Sequence, residues 1–138
     1  MMSVSFDPAA AGWSLASSDV FIESIGPAWT RPGEPLSLGI VARASHDNGA
    51  SVMHGGALMA FIDYAFGVAV TDGGTRGRAT IQLDVQFVAP VPIGAFVVAA
   101  PVITRRTKTL AFVRGECRIE ETIVATANGI WRIFDESR

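Results

Sequence analysis

Hydrophobic positions along the chain leave a period of two for one long run and return to it afterwards. From His54 to Val70 the sequence reads HGGALMAFIDYAFGVAV, with apolar residues in an almost unbroken run. Ala57, Leu58, Met59, Ala60, Phe61 and Ile62 are mostly good helix formers, and about 16 residues pass without proline. The run predicts one long helix with apolar residues on every face, and hence a helix buried all round. Thr71-Asp72-Gly73-Gly74 is suited to end it. Beyond residue 80 the period becomes two. Ile81, Leu83, Val85 and Phe87 alternate with Gln82, Asp84 and Gln86, which predicts a strand with one apolar face. Three more strands follow, at 95–104, 109–120 and 123–134. A polar turn at 105–108 and another at 121–122 separate them, and this spacing implies an antiparallel meander. Before the helix, residues 36–44 (LSLGIVARA) alternate as a strand, and SHDNGASVM is a polar loop. Pro27, Pro32, Gly33 and Pro35 restrict residues 1–35 to a short helix and loops. The predicted architecture is α+β, a long central buried helix against an antiparallel β-sheet, in a single domain over residues 1–138.

Composition narrows the class. A chain of 138 residues suits one domain, and 49% hydrophobic against 17% charged residues is globular rather than disordered. The formal net charge of -2 shows no basic character of the kind nucleic acid attracts. A single cysteine, Cys117, excludes an internal disulfide and a cysteine-based metal cluster, and fits a reducing compartment. The start, MMSVSFDPAAAGW, lacks the basic and long apolar regions of a signal peptide. The apolar run is slightly too short for a bilayer span, and an Asp at its centre would cost about 3 kcal/mol in lipid. A soluble, cytoplasmic protein without a membrane partner is expected.

That Asp is Asp63, the one charged residue of the run. A buried carboxylate without a partner is costly. Its stripe on the helix holds Gly56, Met59, Ala60, Phe66, Gly67 and Val70, none of which can neutralise it. Either a distant residue bonds to it, or it is a carboxylate in an apolar wall that serves as base or nucleophile. The helix opening offers the complementary half of a site. Free N–H groups at a helix N-terminus, together with the macrodipole, favour an oxygen carrying negative charge. Gly55-Gly56 presents no side chain to keep a substrate from those N–H groups. The same pair is also a simple means of entering a helix sharply. Gly55 and Asp63 are eight residues apart, about 12 Å along a helix axis. One reacting carbon cannot lie about 3 Å from both. If both act on one bond, they come from two copies of the helix packed across a two-fold axis, and the protein is an obligate dimer.

Asn48-Gly49, then His54-Gly55-Gly56, then Asp63 inside an apolar helix, then Phe87-Val88-Ala89-Pro90 and Gly94, resembles the hotdog-fold thioesterases. Among them the pattern is most similar to the PaaI-like acyl-CoA thioesterases, over residues 36–134. The resemblance implies a hotdog fold, in which a curved antiparallel sheet wraps the central helix. It implies a homodimer joined edge to edge, often doubled to a tetramer. It also implies hydrolysis of an acyl-CoA substrate with no metal and no bound cofactor. On this pattern the carbonyl-polarising amide is that of Gly55, the assisting side-chain amide is Asn48, and the carboxylate is Asp63. The hydroxyl that positions water falls on Thr80, where relatives often have Ser; the exchange keeps the donor and adds a methyl. His54 orders the loop or contacts the thioester region, with direct proton transfer as the alternative.

The remaining candidates concern binding. Met59 and Phe66 share the Asp63 stripe and are candidates to line the acyl pocket, with Trp13 and Trp29 as candidates to cover it. Arg105, Arg106 and Lys108 form a basic turn, with Arg114 on the next strand, and arginine suits the phosphates of CoA. Arg76 and Arg78, in GGTRGR, are further candidates for the coenzyme. His46 reads as an ordinary loop residue and Cys117 as packing. Two other functions suit the same sequence: an enoyl or 3-hydroxyacyl thioester hydratase or dehydratase, and a non-catalytic acyl-thioester-binding protein.

Overall fold

A computed structural model describes residues 6–16, 19–31, 33, 36–72 and 76–134. In chain order these form β1 (Ser14–Leu15), α1 (Val20–Ile25), β2 (Ala28–Arg31), β3 (Ser37–Val41), α2 (Gly55–Val70), β4 (Arg78–Phe87), β5 (Phe96–Arg106), β6 (Leu110–Ile119) and β7 (Thr122–Ile133). The predicted glycine stop of the long helix, Gly73-Gly74, lies outside the described residues. The helix has the limits the sequence predicts. Its N-cap is His54, whose Nδ1 accepts the Gly56 N–H at 2.8 Å, and Thr71 follows its last turn.

The seven strands make one antiparallel sheet in the order β1-β2-β3-β5-β6-β7-β4. Its inner face supplies Leu38, Ile40, Val97, Ala99, Val113 and Trp131 to the core. Against them α2 lays Leu58, Phe61, Ile62, Ala65, Phe66 and Val70, all buried. Burying one such large apolar side chain is worth about 1.5–3 kcal/mol. The contact of helix with sheet therefore outweighs helix propensity in holding α2.

Four expectations are corrected. The helix is not buried all round: Gly56 and Met59 are exposed, and Ala60 and Asp63 are half-buried. These positions recur at helical spacing, so they form one open stripe. The basic turn is shorter than predicted, because Arg105 and Arg106 stay in β5 and pair with Phe112 and Ala111. The meander holds for β5, β6 and β7, but β4 pairs with β7 rather than with β5. Alternation tells which face of a strand is buried and carries no information about its neighbour. The N-terminal region contributes strands β1 and β2 as well as the short helix α1.

Candidate active site

Asp63 sits midway along α2, and its Oδ1 accepts the Thr80 hydroxyl at 2.5 Å. Thr80 belongs to β4, opposite the buried Trp131 on β7. The next pair is Gln82 with Ile130, so Ile81 is an unpaired bulge residue beside Thr80. A bulge re-aims side chains locally. Here it falls next to the one hydroxyl that meets the carboxylate. Gly56, Met59, Asp63 and Thr80 share a cleft of about 690 Å³, closed on other sides by Phe21 and Ile22 of α1, Tyr64, Leu83 and Trp131. Burial pushes the Tyr64 phenol upward in pKa, which keeps it protonated.

Gly55 opens on a different side. The N–H groups of Gly56, Ala57 and Leu58 find acceptors on His54, two of them on its carbonyl. Among the described residues the Gly55 N–H has no acceptor. It lies in a second cleft of about 380 Å³, with Met53, Leu58, Phe87, Val88 and Pro90. A Cβ on Gly55 would stand 3.4 Å from the Phe87 ring. The two clefts have no lining residue in common. Within one protomer, then, the amide and the carboxylate are not brought together.

The loop before α2 is built from side-chain caps. Asp47 Oδ1 accepts from Gly49 N (2.7 Å) and Ser51 N (3.0 Å), and Asn48 Oδ1 accepts from Ala50 N (2.8 Å). Asp47 also bridges to Met53, which draws the loop's ends together near the start of α2. With Oδ1 engaged, Asn48 has its NH₂ to offer outward. His54 acts as the helix cap through its Nδ1.

Other predicted residues lie elsewhere. Phe66 is fully buried, its ring 6.0 Å from that of Trp131, so it packs in the core and not along the cleft. Arg106 donates to the Val70 carbonyl at 2.6 Å, at the far end of α2 from Gly55. Arg105 and Lys108 are exposed near it. Arg78 donates to the Thr71 hydroxyl at 3.1 Å and also borders the Asp63 cleft. Trp13 does not cover that cleft. It packs edge-on against Phe96, 5.0 Å away, beneath the Arg31 guanidinium. Cys117 is buried, and desolvation pushes its thiol up to about 12, which suits packing rather than nucleophilic work. His46, read as an ordinary loop residue, is buried and bonded through both ring nitrogens. A histidine in a polar loop carries no sequence signal of that role. Among the described residues no three His, Cys, Asp or Glu side chains gather to hold a metal, and no helix is long and apolar enough to cross a membrane.

A central helix wrapped by a curved antiparallel sheet, with a carboxylate at mid-helix, limits the families that fit. The model of the thioesterase superfamily matches residues 50–126, a span that includes the helix and strands β4 to β6. The chain belongs to the thioesterase superfamily. Solved structures agree on its hotdog fold. A mutant of the phenylacetic acid degradation protein PaaI from Thermus thermophilus is 26% identical, with a TM-score of 0.74 over 84% of this chain and 100% of that one. The PaaI protein of the Escherichia coli phenylacetic acid degradation operon is 18% identical, with a TM-score of 0.76 over 85% and 86%. A Bacillus halodurans protein solved with CoA is 21% identical, with a TM-score of 0.65 over 71% and 66%. No curated protein matches the sequence. Superfamily membership assigns thioester hydrolysis as the chemistry.

Proposed function

We propose that the protein is an acyl-CoA thioesterase whose active site forms between two protomers of a homodimer, alone or doubled to a tetramer. One observation carries this reading. Asp63, oriented by Thr80, lies in one cleft, while the Gly55 N–H without an acceptor opens on another. The family's chemistry needs both groups on one carbonyl. The helix separates them by about 12 Å within a chain. The surface beside the site supports a partner. Strand β4 is the last of the sheet, and Ile81, Phe87 and Val88 on or just after it are 56%, 53% and 57% exposed. A second copy joined along that edge by a two-fold axis sets the two α2 helices antiparallel and covers these side chains. The CoA found with the Bacillus halodurans relative supports CoA as the leaving group.

In this site the thioester oxygen gathers negative charge against the Gly55 N–H, at the positive end of α2. The Asn48 NH₂ supplies a second donor. Water deprotonated by Asp63, or the Asp63 carboxylate itself, attacks the carbonyl carbon. The C–S bond then breaks, CoA leaves as the thiolate, and the free acid remains. If the carboxylate attacks, water hydrolyses the resulting anhydride and restores Asp63. Thr80 holds one carboxylate oxygen in place, and Met59, Phe21 and Leu83 offer apolar surface to the acyl chain.

A panel of aliphatic and aryl acyl-CoA esters, read with a thiol-detecting dye, tests the reaction. At least one ester should release CoA, and Asp63→Asn should lower that kcat by about a hundredfold or more while the dimer stays folded. Hydration of an enoyl-CoA without thiol release, tight binding without turnover, or an Asp63→Asn variant at full rate would overturn the proposal.

A further inference from the structure

His46 takes no part in the reaction above, yet the chain buries it to 4% exposure. Four hydrogen bonds meet at this residue, one of them from its own N–H to the Arg43 carbonyl at 2.8 Å. Its Nδ1 accepts the Arg43 N–H at 3.0 Å, its Nε2 donates to the Ile25 carbonyl at 2.6 Å, and its own carbonyl accepts the His54 N–H at 2.7 Å. Only one ring form satisfies the side-chain pair: a proton on Nε2 and none on Nδ1. Ile25 is the last residue of α1, whose Phe21 and Ile22 line the Asp63 cleft. His54 is the N-cap of α2, immediately before Gly55. Between His46 and His54 runs the loop that carries Asn48. The His46 ring thus fastens the base of that loop to a separate, earlier segment of the chain, and its backbone carbonyl holds the cap of α2.

We infer that His46 is a positioning residue: by tying its loop to the Ile25 carbonyl, it sets where the Gly55 amide and the Asn48 side chain point. Gly55 and Asn48 lie on exposed or half-exposed backbone. Their loop is closed mostly by bonds within itself, which shape it but do not locate it on the sheet. The Met53 N–H to Val91 carbonyl bond at 2.8 Å, the Ile93 N–H to Ser51 carbonyl bond at 3.2 Å and the Val52–Pro92 bridge hold its later end, and His46 holds the earlier one. Oxyanion donors lose their effect when displaced by about 1 Å. The kinetic part of the claim rests on the thioesterase reading; the structural part does not.

Two substitutions separate the ring's two bonds. The Gln side chain reaches the Nε2 position and keeps a donor for Ile25, whereas Asn reaches only the Nδ1 position and keeps the acceptor for Arg43. In the full-length dimer His46→Gln should keep kcat within about threefold of wild type, and His46→Asn should lower kcat by about tenfold or more with little change in KM. Amide resonances of Gly55 and of the Asn48 side chain should move in His46→Asn and hold in His46→Gln. Full kcat in His46→Asn, or equal losses in both variants, would overturn the inference. Should no acyl-CoA be hydrolysed even by wild type, the thioesterase reading falls, and the resonances decide alone: movement confined to His46→Asn supports the role of His46, and no movement in either variant removes it. Should His46→Asn fail to fold, the wild-type ring decides, since a proton found on Nδ1 rather than Nε2 would be incompatible with both bonds.

Discussion

The bond from Thr80 to Asp63 joins a neutral donor to a carboxylate, and such bonds are stronger than neutral pairs. In the proposed reaction its value lies in orientation: it leaves the second carboxylate oxygen for water or for the carbonyl carbon. Thr80→Ser keeps the donor and should keep kcat within about twofold, whereas the near-isosteric Thr80→Val should lower kcat by about tenfold. Equal rates for the two variants would show that the hydroxyl does not matter. His46 makes a prediction about stability at the same scale. Burial is the main cause that lowers its pKa below the ordinary 6.5. The Ile25 carbonyl opposes this, and the Arg43 charge adds to it. The unfolded chain therefore takes up this proton at a higher pH than the folded one. Linkage then requires stability to fall as pH drops through about 6.5, and to level off once the folded ring is also protonated. Urea midpoints measured from about pH 7.5 to about pH 5 should show this slope in wild type and a smaller one in His46→Gln.

Strands and helix ends account for several residues whose charge suggested substrate. Near the last turn of α2 one arginine meets a carbonyl without a partner in the helix and another meets the Thr71 hydroxyl, and their charge opposes the negative end of the dipole. Arg106 bonds the Val70 carbonyl, and Arg78 lies across Gly67 to reach Thr71. A Cβ on Gly67 would meet the Arg78 side chain, which would have to shift to make room for it. Arg106→Ala should lower stability by about 1 kcal/mol and leave KM for acyl-CoA unchanged. A several-fold rise in KM with stability intact would instead return Arg106 to the coenzyme site. The bulge at Ile81 belongs to this scale too: it lets one strand present Thr80 to the helix while Leu83 and Val85 still pack on the core.

In the proposed site, two copies of the molecule bring together what one copy leaves divided. Gly55→Pro is a direct way to silence one half, because proline at the first helical position removes only the N–H. The backbone of His54, at φ -58° and ψ 134°, already suits a residue before proline. Gly55→Pro and Asp63→Asn homodimers should each be nearly inactive. When their subunits are mixed and exchanged, about half the dimers are hybrids, and each hybrid has one intact site, so about a quarter of wild-type activity should return. No recovery, with exchange verified by mass, would place both groups in one protomer. Sedimentation should find no monomer at assay concentrations.

The local pattern determined the elements. A proline-free apolar run between a polar loop and a glycine pair has one economical solution, and α2 begins and ends at the residues its sequence predicts. Period-two alternation likewise determined that Leu83 and Val85 of β4 turn inward, whereas the bulge at Ile81 broke it and left Ile81 exposed. Asp63 and Gly55 stand out as candidates for the same reason: a charge inside an apolar helix and a side-chain-free helix tip conflict with their surroundings. What joins distant segments was not legible. The pairing of β4 with β7, the meeting of Thr80 with Asp63, the retreat of Phe66 into the core and the burial of His46 under Ile25 depend on which surfaces come to face each other. Contact energies between residues far apart in the chain decide those outcomes, and no run of neighbouring residues encodes them.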